Sequence, residues 1–407
     1  WLVTVTRHDG SNYKIAANFL SCCSGYYNYE QGYLPKFEGY DDYQGTIAHP
    51  QHWPEDLDYS GKRVIVIGSG ATAVTVVPAM AKKAAHVTMV QRSPSYIFSR
   101  PASDLLFRFL SHILPKGITN RIMRAKYATL QQLNFVLSKR FPDLMRKLVR
   151  TMNKKDLAGA ADVDIHFKPS YKPWDQRMAL VPDADLFNSV RSGKTSIVTD
   201  HIERFNETGI LMKSGEQIDA DIIVPATGLD VQLWGKMNLT VDGNPVEGNT
   251  LTNYKGMMFS QVPNFVWVFG YTNASWTLKA ELTFDYVCRL LEHMEQNGYQ
   301  SVHPHQAPNA KRVRMLDLES GYVQRALDRI PSQGTEFPWC NKDLYFKDVF
   351  AIKHSKLVDD VLRFDDNDAL EGFHQPLAKK AQQKAAPTKE TESSQKKAAS
   401  LEQSSVA

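Results

Sequence analysis

The chain has 407 residues, 43% hydrophobic and 23% charged, which is the composition of a soluble globular protein long enough for two or three domains. Disordered, collagen-like and fibrous classes are excluded for the chain as a whole, and no apolar run reaches the roughly 18 residues of a membrane-spanning helix. The net charge of +4 is unevenly spread: residues 100–155 hold 13 Lys and Arg against Asp104 and Asp143, so this stretch carries +11 and the remainder −7.

The chain opens as a strand, Trp1-Leu-Val-Thr-Val-Thr-Arg7, with no initiator methionine and no signal-peptide pattern, so a start upstream of Trp1 is expected. A turn at Asp9-Gly10-Ser11-Asn12 leads into a second strand-like run that ends in Phe19-Leu-Ser-Cys-Cys-Ser-Gly25. Next comes a Pro- and aromatic-rich segment, Tyr43-Gln-Gly45-Thr-Ile-Ala-His49-Pro-Gln-His52-Trp53-Pro54, whose histidines read locally as hydrogen-bonded structural residues.

The strongest motif follows. Arg63-Val-Ile-Val-Ile67 is a buried parallel-strand run, and it leads directly into Gly68-Ser69-Gly70-Ala71-Thr72-Ala73 and a helical pattern at Val74, Val77 and Met80. In such a G-x-G-x-x-A loop the first glycine makes the tight turn and the second admits a pyrophosphate. The small third residue packs helix on strand, and the helix N-terminus receives the phosphates. A second strand, His86–Gln91, returns after a crossover of the right length, so dinucleotide binding is predicted. At its end stand Gln91-Arg92-Ser93, where an NAD site places an acidic residue. A cation beside a hydroxyl suits a 2′-phosphate, so NADPH is expected; the bland alternative is a surface arginine.

Within the basic stretch, Leu105, Leu106, Phe109, Leu110 and Ile113, then Leu144, Met145, Leu148 and Val149, recur at helical spacing. Basic amphipathic helices are predicted there. One reading is a peripheral contact with anionic lipid through residues 100–155, and the other a packed face backed by a solvated basic face. Beyond them, Tyr171-Lys-Pro-Trp174-Asp175-Gln176-Arg177 precedes a strand-like run, and Asp221-Ile-Ile-Val224 leads into Ala226-Thr227-Gly228. Asn273-Ala-Ser275-Trp276 introduces a helix through Leu282, Val287, Leu290 and Leu291, which Asn273 or Ser275 could cap. From about Leu377 the composition turns to Ala, Lys, Gln, Glu and Ser without aromatics, and a disordered tail over 377–407 is expected. Four scattered cysteines fit neither a disulfide framework nor a metal site, so a cytoplasmic protein without a metal is expected.

The segment around Gly45, His49 and Trp53 resembles the F-x-G-x-x-x-H-x-x-x-W-P fingerprint of Baeyer–Villiger monooxygenases, with Tyr43 for the phenylalanine. With Cys23-Ser-Gly-Tyr-Tyr-Asn-Tyr29, Gly68–Val74 and Gly270-Tyr-Thr-Asn-Ala-Ser-Trp-Thr-Leu-Lys279, it is similar to the ethionamide-activating group of that family over about residues 1–370. The resemblance implies an α/β flavoprotein with an NADPH-binding Rossmann domain inserted into an FAD domain. The FAD domain would be represented by residues 1–44 and 226–376. The NADPH domain would span 45–225, with a helical insertion over 103–160. Ala226-Thr227-Gly228 matches the linker between the domains, and Arg177 and His49 fall at the family's active-site positions. In that family the nicotinamide reduces FAD, O2 adds to give a peroxyflavin, and one oxygen passes to a ketone or to soft sulfur or nitrogen. A fixed guanidinium, here Arg177, would stabilise the anions formed. The α-helix start at Asn273, Ser275 and Trp276 would face the flavin. The family's first glycine loop, for FAD, is expected upstream of Trp1. The partners implied are a small ketone, thioether or thiocarbonyl and O2, with no nucleic acid. Two rival readings are a nucleotide-binding or membrane-docking chain without turnover, and a pyridine nucleotide–disulfide reductase, which would need C-x-x-C where this chain has adjacent Cys22 and Cys23.

Overall fold

A computed structural model describes residues 1–306 and 310–364. The expected tail over 377–407 and the last residues of the 226–376 segment lie outside the described residues. Strands β1 (Leu2–Thr6) and β2 (Asn12–Ala16) form an antiparallel hairpin, turned by Gly10 at φ 80°. The run after the turn does not continue as one strand to Cys22. It breaks after Ala16, and β3 (Leu20–Cys22) pairs instead in parallel with the strand Phe265–Trp267. Trp267 and Phe269 are buried there, so this short pair is fixed by core packing from 240 residues downstream and not by the hairpin.

The main sheet is built from β4 (Thr46–Ile47), β5 (Arg63–Ile67), β6 (His86–Gln91), β9 (Thr195–Thr199) and β13 (Ile222–Pro225). All pairings are parallel, in the order β4-β13-β5-β6-β9. Val64, Ile65, Val66 and Val87 are fully buried because a parallel sheet is covered on both faces. One face packs on α1 (Ala71–Met80) and on α6 (Asp185–Arg191) through Leu186 and Phe187. The other is covered by an antiparallel meander, β10 (Ile202–Asn206), β11 (Gly209–Met212) and β12 (Gln217–Asp219), through Phe205, Ile210 and Met212. The order reverses at β5, with β6 on one side and β13 on the other, so a crevice opens above the carboxyl end of β5.

Between β6 and β9 the chain makes an excursion whose base is a parallel pair, β7 (Ile97–Arg100) and β8 (Ala179–Pro182). From it project α2 (Leu105–Ile113), α3 (Lys116–Arg140), α4 (Pro142–Leu157) and the short α5 (Val163–His166). Asp104 caps α2 by accepting from the Leu106 and Phe107 amides and pairs with Lys126 of α3, which holds the two helices antiparallel. Arg124 forks onto Glu281, Gln131 accepts from Ser275 N–H and Gln132 from Phe346 N–H, pinning one side of α3 to the C-terminal part. That part centres on α7 (Trp276–Asn297), which ends at Gly298 with φ 71°.

Candidate cofactor and substrate site

The loop after β5 shows two glycines with different physical roles. Gly68 sits at φ 135°, and a Cβ there would overlap the Ala226 carbonyl oxygen at the end of neighbouring β13. Its N–H donates to Val90 O at 2.8 Å, tying the turn to β6. Gly70, by contrast, is extended (φ −81°, ψ −175°), a conformation open to any residue, and a Cβ there would meet nothing within 4 Å. Protein packing therefore gives no reason for glycine at position 70, whereas a ligand lying on the loop would. Gly70 is also the N-cap of α1, and no side chain caps that helix, so its first amides face open space with the positive end of the helix dipole. Ala73 is fully buried, as a small residue between helix and strand must be. Ala71 and Thr72 form the first turn, and Ser69 Oγ is tethered to Ser95 Oγ (2.8 Å) and Ser93 O (3.3 Å).

At the end of β6, Arg92 and Ser93 are exposed, and Arg92 has no ion-pair partner among the described residues. Gln91 must be corrected as a cofactor residue. Its side chain is 1% exposed and its amide donates to His166 O and Thr199 Oγ1, both at 2.8 Å, so it braces α5 against β9. Met89 and Val90 before it are buried on the two faces of the sheet, and α5 covers the end of β6 where Gln91 stands.

The crossing out of the sheet is built differently from what its motif suggests. Thr227 Oγ1 donates to Tyr33 O at 2.6 Å, Tyr33 N–H donates to Gly228 O, and Gly228 stands at φ 114°. Ala226 is the buried residue whose carbonyl meets Gly68. These three residues clamp two passing chains together, and Thr227 has its hydroxyl committed to that clamp. His49 belongs to the same crossing. Its Nδ1 accepts from Gln51 N–H, its ring lies 6.1 Å from that of His52, and a Cβ on Gly32 would press on it. Burial, and then the neighbouring His52, lowers its pKa and keeps it neutral, as an acceptor must be. The Arg325 guanidinium covers Tyr33 at 3.5 Å from the ring centroid.

Trp276 packs into an aromatic cluster whose tyrosines also lie within the field of Arg177, 99 positions away in the sequence. Tyr26 stacks on Trp276 (5.2 Å, 8°) and accepts a hydrogen bond from Tyr27 (2.6 Å), and Tyr27 meets Tyr322 edge-on. Burial pushes Tyr27 far above the ordinary phenol range and Tyr322 up to about 12, while the exposed Arg177 charge pulls both the other way. Arg177 is exposed and forms no ion pair among the described residues, so its charge keeps no neutralising partner. The cap expected from Ser275 or Asn273 is not made. Ser275 is the N-cap of α7 by position, but its hydroxyl pairs with Thr277 Oγ1, and Asn273 donates to Asp343 O. Trp276 is half-buried against the core, its ring filling the space beside Gly270 where a Cβ would lie.

A cleft of about 510 Å³ opens beside the Arg177 segment, lined among others by Phe135 and Lys139 of α3, Trp174, Thr272, Leu318 and Asp343. Lys139 pairs with Asp175 at 3.4 Å, which closes α3 onto that segment. Desolvation raises the Asp343 carboxyl to about 6, against the opposing hydrogen bond from Thr272. Neither this cleft nor the Tyr26–Tyr27–Tyr322 group carries a local sequence signal, since the lining comes from segments more than 100 residues apart.

The flavin-binding monooxygenase-like family model matches residues 1–261, which is more than half of the chain. The chain belongs to this family. It is 47% identical over 366 residues to the FAD-containing monooxygenase EthA of Mycolicibacterium smegmatis, covering 89% of this chain and 74% of that protein. It is 45% identical over 368 residues to the probable FAD-binding monooxygenase AlmA of Acinetobacter baylyi, covering 90% and 74%. Its fold is that of an oxidized steroid monooxygenase bound to NADP (TM-score 0.62, 21% identity, 90% of this chain and 78% of that one). The complex of OTEMO with FAD and NADP is similar as well (TM-score 0.58, 19% identity), and there the chain spans 75% of its own length and 66% of the neighbour's. The two-dinucleotide-domain α/β flavoprotein architecture expected from the sequence is thus the family's. The disulfide reductase reading finds no support, as Cys22 is buried, Cys23 exposed and neither is bridged.

Proposed function

We propose that this chain carries the NADPH-binding unit of an FAD-dependent monooxygenase that transfers one oxygen atom to a ketone or to soft sulfur or nitrogen. The observation that carries this reading is the open cradle at Gly70, a glycine whose missing Cβ serves no contact of the protein itself. The donor set fits NADPH: uncapped α1 amides for the pyrophosphate, and Arg92 with Ser93 at the end of β6 for the 2′-phosphate. NADPH supplies a hydride when bound. The chain's own residues hold its phosphates, orient it across the carboxyl end of β5, and set the Arg177 charge beside the Tyr26–Tyr27–Tyr322 cluster. Asp343, Thr272 and Trp174 then line a cleft for the organic substrate.

For FAD the fit is incomplete among the described residues. They contain one strand–glycine-loop–helix unit, at 63–80, and it is assigned here to NADPH. The Trp276 start of α7 and the parallel pair β3 with Phe265–Trp267 supply a wall for a flavin but no second pyrophosphate loop. The test is titration calorimetry of the full chain with NADPH and NADH. Arg92→Ala should cost NADPH about 1.5–3 kcal/mol, the range of a charge-assisted contact, and leave NADH within error. Equal loss for both cofactors removes Arg92 from the 2′-phosphate site.

A further inference from the structure

The helical excursion exposes apolar side chains where a surface helix normally exposes polar ones. α2 has no buried residue at all, and Leu105, Phe109 and Ile113, one face at i, i+4 and i+8, are 76%, 63% and 60% exposed. On α3 the side that packs on the C-terminal part carries Arg124, Ala128, Gln131, Gln132 and Phe135. At 100° per residue, Ile122, Leu130, Leu133 and Leu137 point to the opposite side, and all four are exposed, as are Ile118 and Val136 on the flank. Phe141, Leu144 and Leu148 at and beyond the turn into α4 are exposed as well. A packed apolar face with a solvated basic one, the blander expectation for these helices, holds for α4, where Met145, Val149 and Leu157 are buried, but not for α2 or the outer side of α3. Apolar patches of this extent mark a surface that meets something.

Charge identifies the occupant. Arg108, Lys116, Arg121 and Lys147 stand on the same helices without an acidic partner among the described residues, in a stretch of net +11 within a chain otherwise negative. Long basic side chains flanking an apolar stripe are arranged for headgroups above and acyl chains below. A second protein copy would set the same unpaired cations against one another. No helix among the described residues is long and apolar enough to cross a membrane, so the helices would lie in the interface plane. We infer that the exposed face of α2, α3 and the start of α4 docks on an anionic lipid surface, with Leu105, Phe109 and Ile113 inserted and Arg108 and Lys116 on the phosphates. The face lies opposite the side of α3 that lines the substrate cleft, so docking leaves the cleft facing the rest of the protein.

The experiment is co-sedimentation of the full chain with phosphatidylcholine vesicles, with and without phosphatidylglycerol. Binding should require the anionic lipid and weaken sharply between about 0.1 M and about 1 M salt, where the screening length falls from about 10 Å to about 3 Å. Arg108→Ala with Lys116→Ala should reduce partitioning about fivefold per charge. Phe109→Glu with Ile113→Glu should abolish it at an unchanged melting temperature and unchanged NADPH affinity, since both side chains are solvent-exposed. Three results overturn the inference: no binding to anionic vesicles, equal binding to neutral ones, or a self-associated wild type that Phe109→Glu with Ile113→Glu converts to monomer. The last would make this face an interface between copies. None of these outcomes bears on the NADPH reading, which calorimetry tests separately.

Discussion

The two loop glycines predict opposite phenotypes for the same substitution. Gly68→Ala forces a Cβ into a conformation that costs a non-glycine residue about 1–3 kcal/mol, and places that atom against the Ala226 carbonyl, which cannot move without shifting β13. A loss of stability of at least ~3 kcal/mol is expected from strain and overlap together. Gly70→Ala meets neither problem. Its backbone is already extended and its Cβ enters open space, so the folded state is unstrained; the lost freedom of the unfolded chain, about 0.4–1 kcal/mol, is offset by Ala being the poorer N-cap, and stability should stay within about 1 kcal/mol of the wild type. NADPH affinity should nonetheless fall at least about tenfold, because the added methyl occupies the pyrophosphate's approach, and Gly70→Asp should abolish binding by adding like charge. Urea unfolding read by tryptophan fluorescence measures the first quantity and calorimetry the second. A Gly70→Ala protein as stable as the wild type that binds NADPH with unchanged affinity would refute the cradle. A Gly68→Ala protein of wild-type stability would refute the steric account.

Three further outcomes follow from buried or unpaired charges. Lys279, 1% exposed, donates to Asp348 at 2.7 Å and to Lys255 O at 3.0 Å, so Lys279→Met should cost about 3–5 kcal/mol by leaving Asp348 uncompensated. The double variant Lys279→Met with Asp348→Leu should recover part of that loss in the same urea assay, and no recovery would mean that packing rather than charge is decisive. His49 has a folded pKa below that of the unfolded chain, so the unfolded state takes up more protons and stability falls with acid through and below the ordinary imidazole range. Unfolding midpoints measured across that range should show this slope, and His49→Gln should flatten it. Arg177→Ala removes an exposed cation without an ion pair and should change stability by no more than ~0.5 kcal/mol. A larger loss would assign Arg177 to the fold instead of the site.

Local pattern alone marked β5, the Gly68 loop, α1 and β6, because a buried parallel strand reads as an unbroken apolar run and the loop residues serve a backbone that must turn within a few positions. The start of α7 was legible for the same reason, as its apolar period is set by one helix face. The sequence also marked Arg92, Arg177, His49 and Trp276, but only as residue types at motif positions. Tertiary structure decided what each one does. Gln91 turned inward because the neighbouring α5 claims its amide, and Thr227 went to a chain crossing because Tyr33, 194 positions away, offers it an acceptor. Trp276 came to stack on Tyr26, and Tyr27 to meet Tyr322, through packing between segments that have no local relation. The same holds for α2 and α3. Their spacing predicts an amphipathic helix, but which face is covered depends on what lies beside it, and only the fold shows that the apolar side was left open.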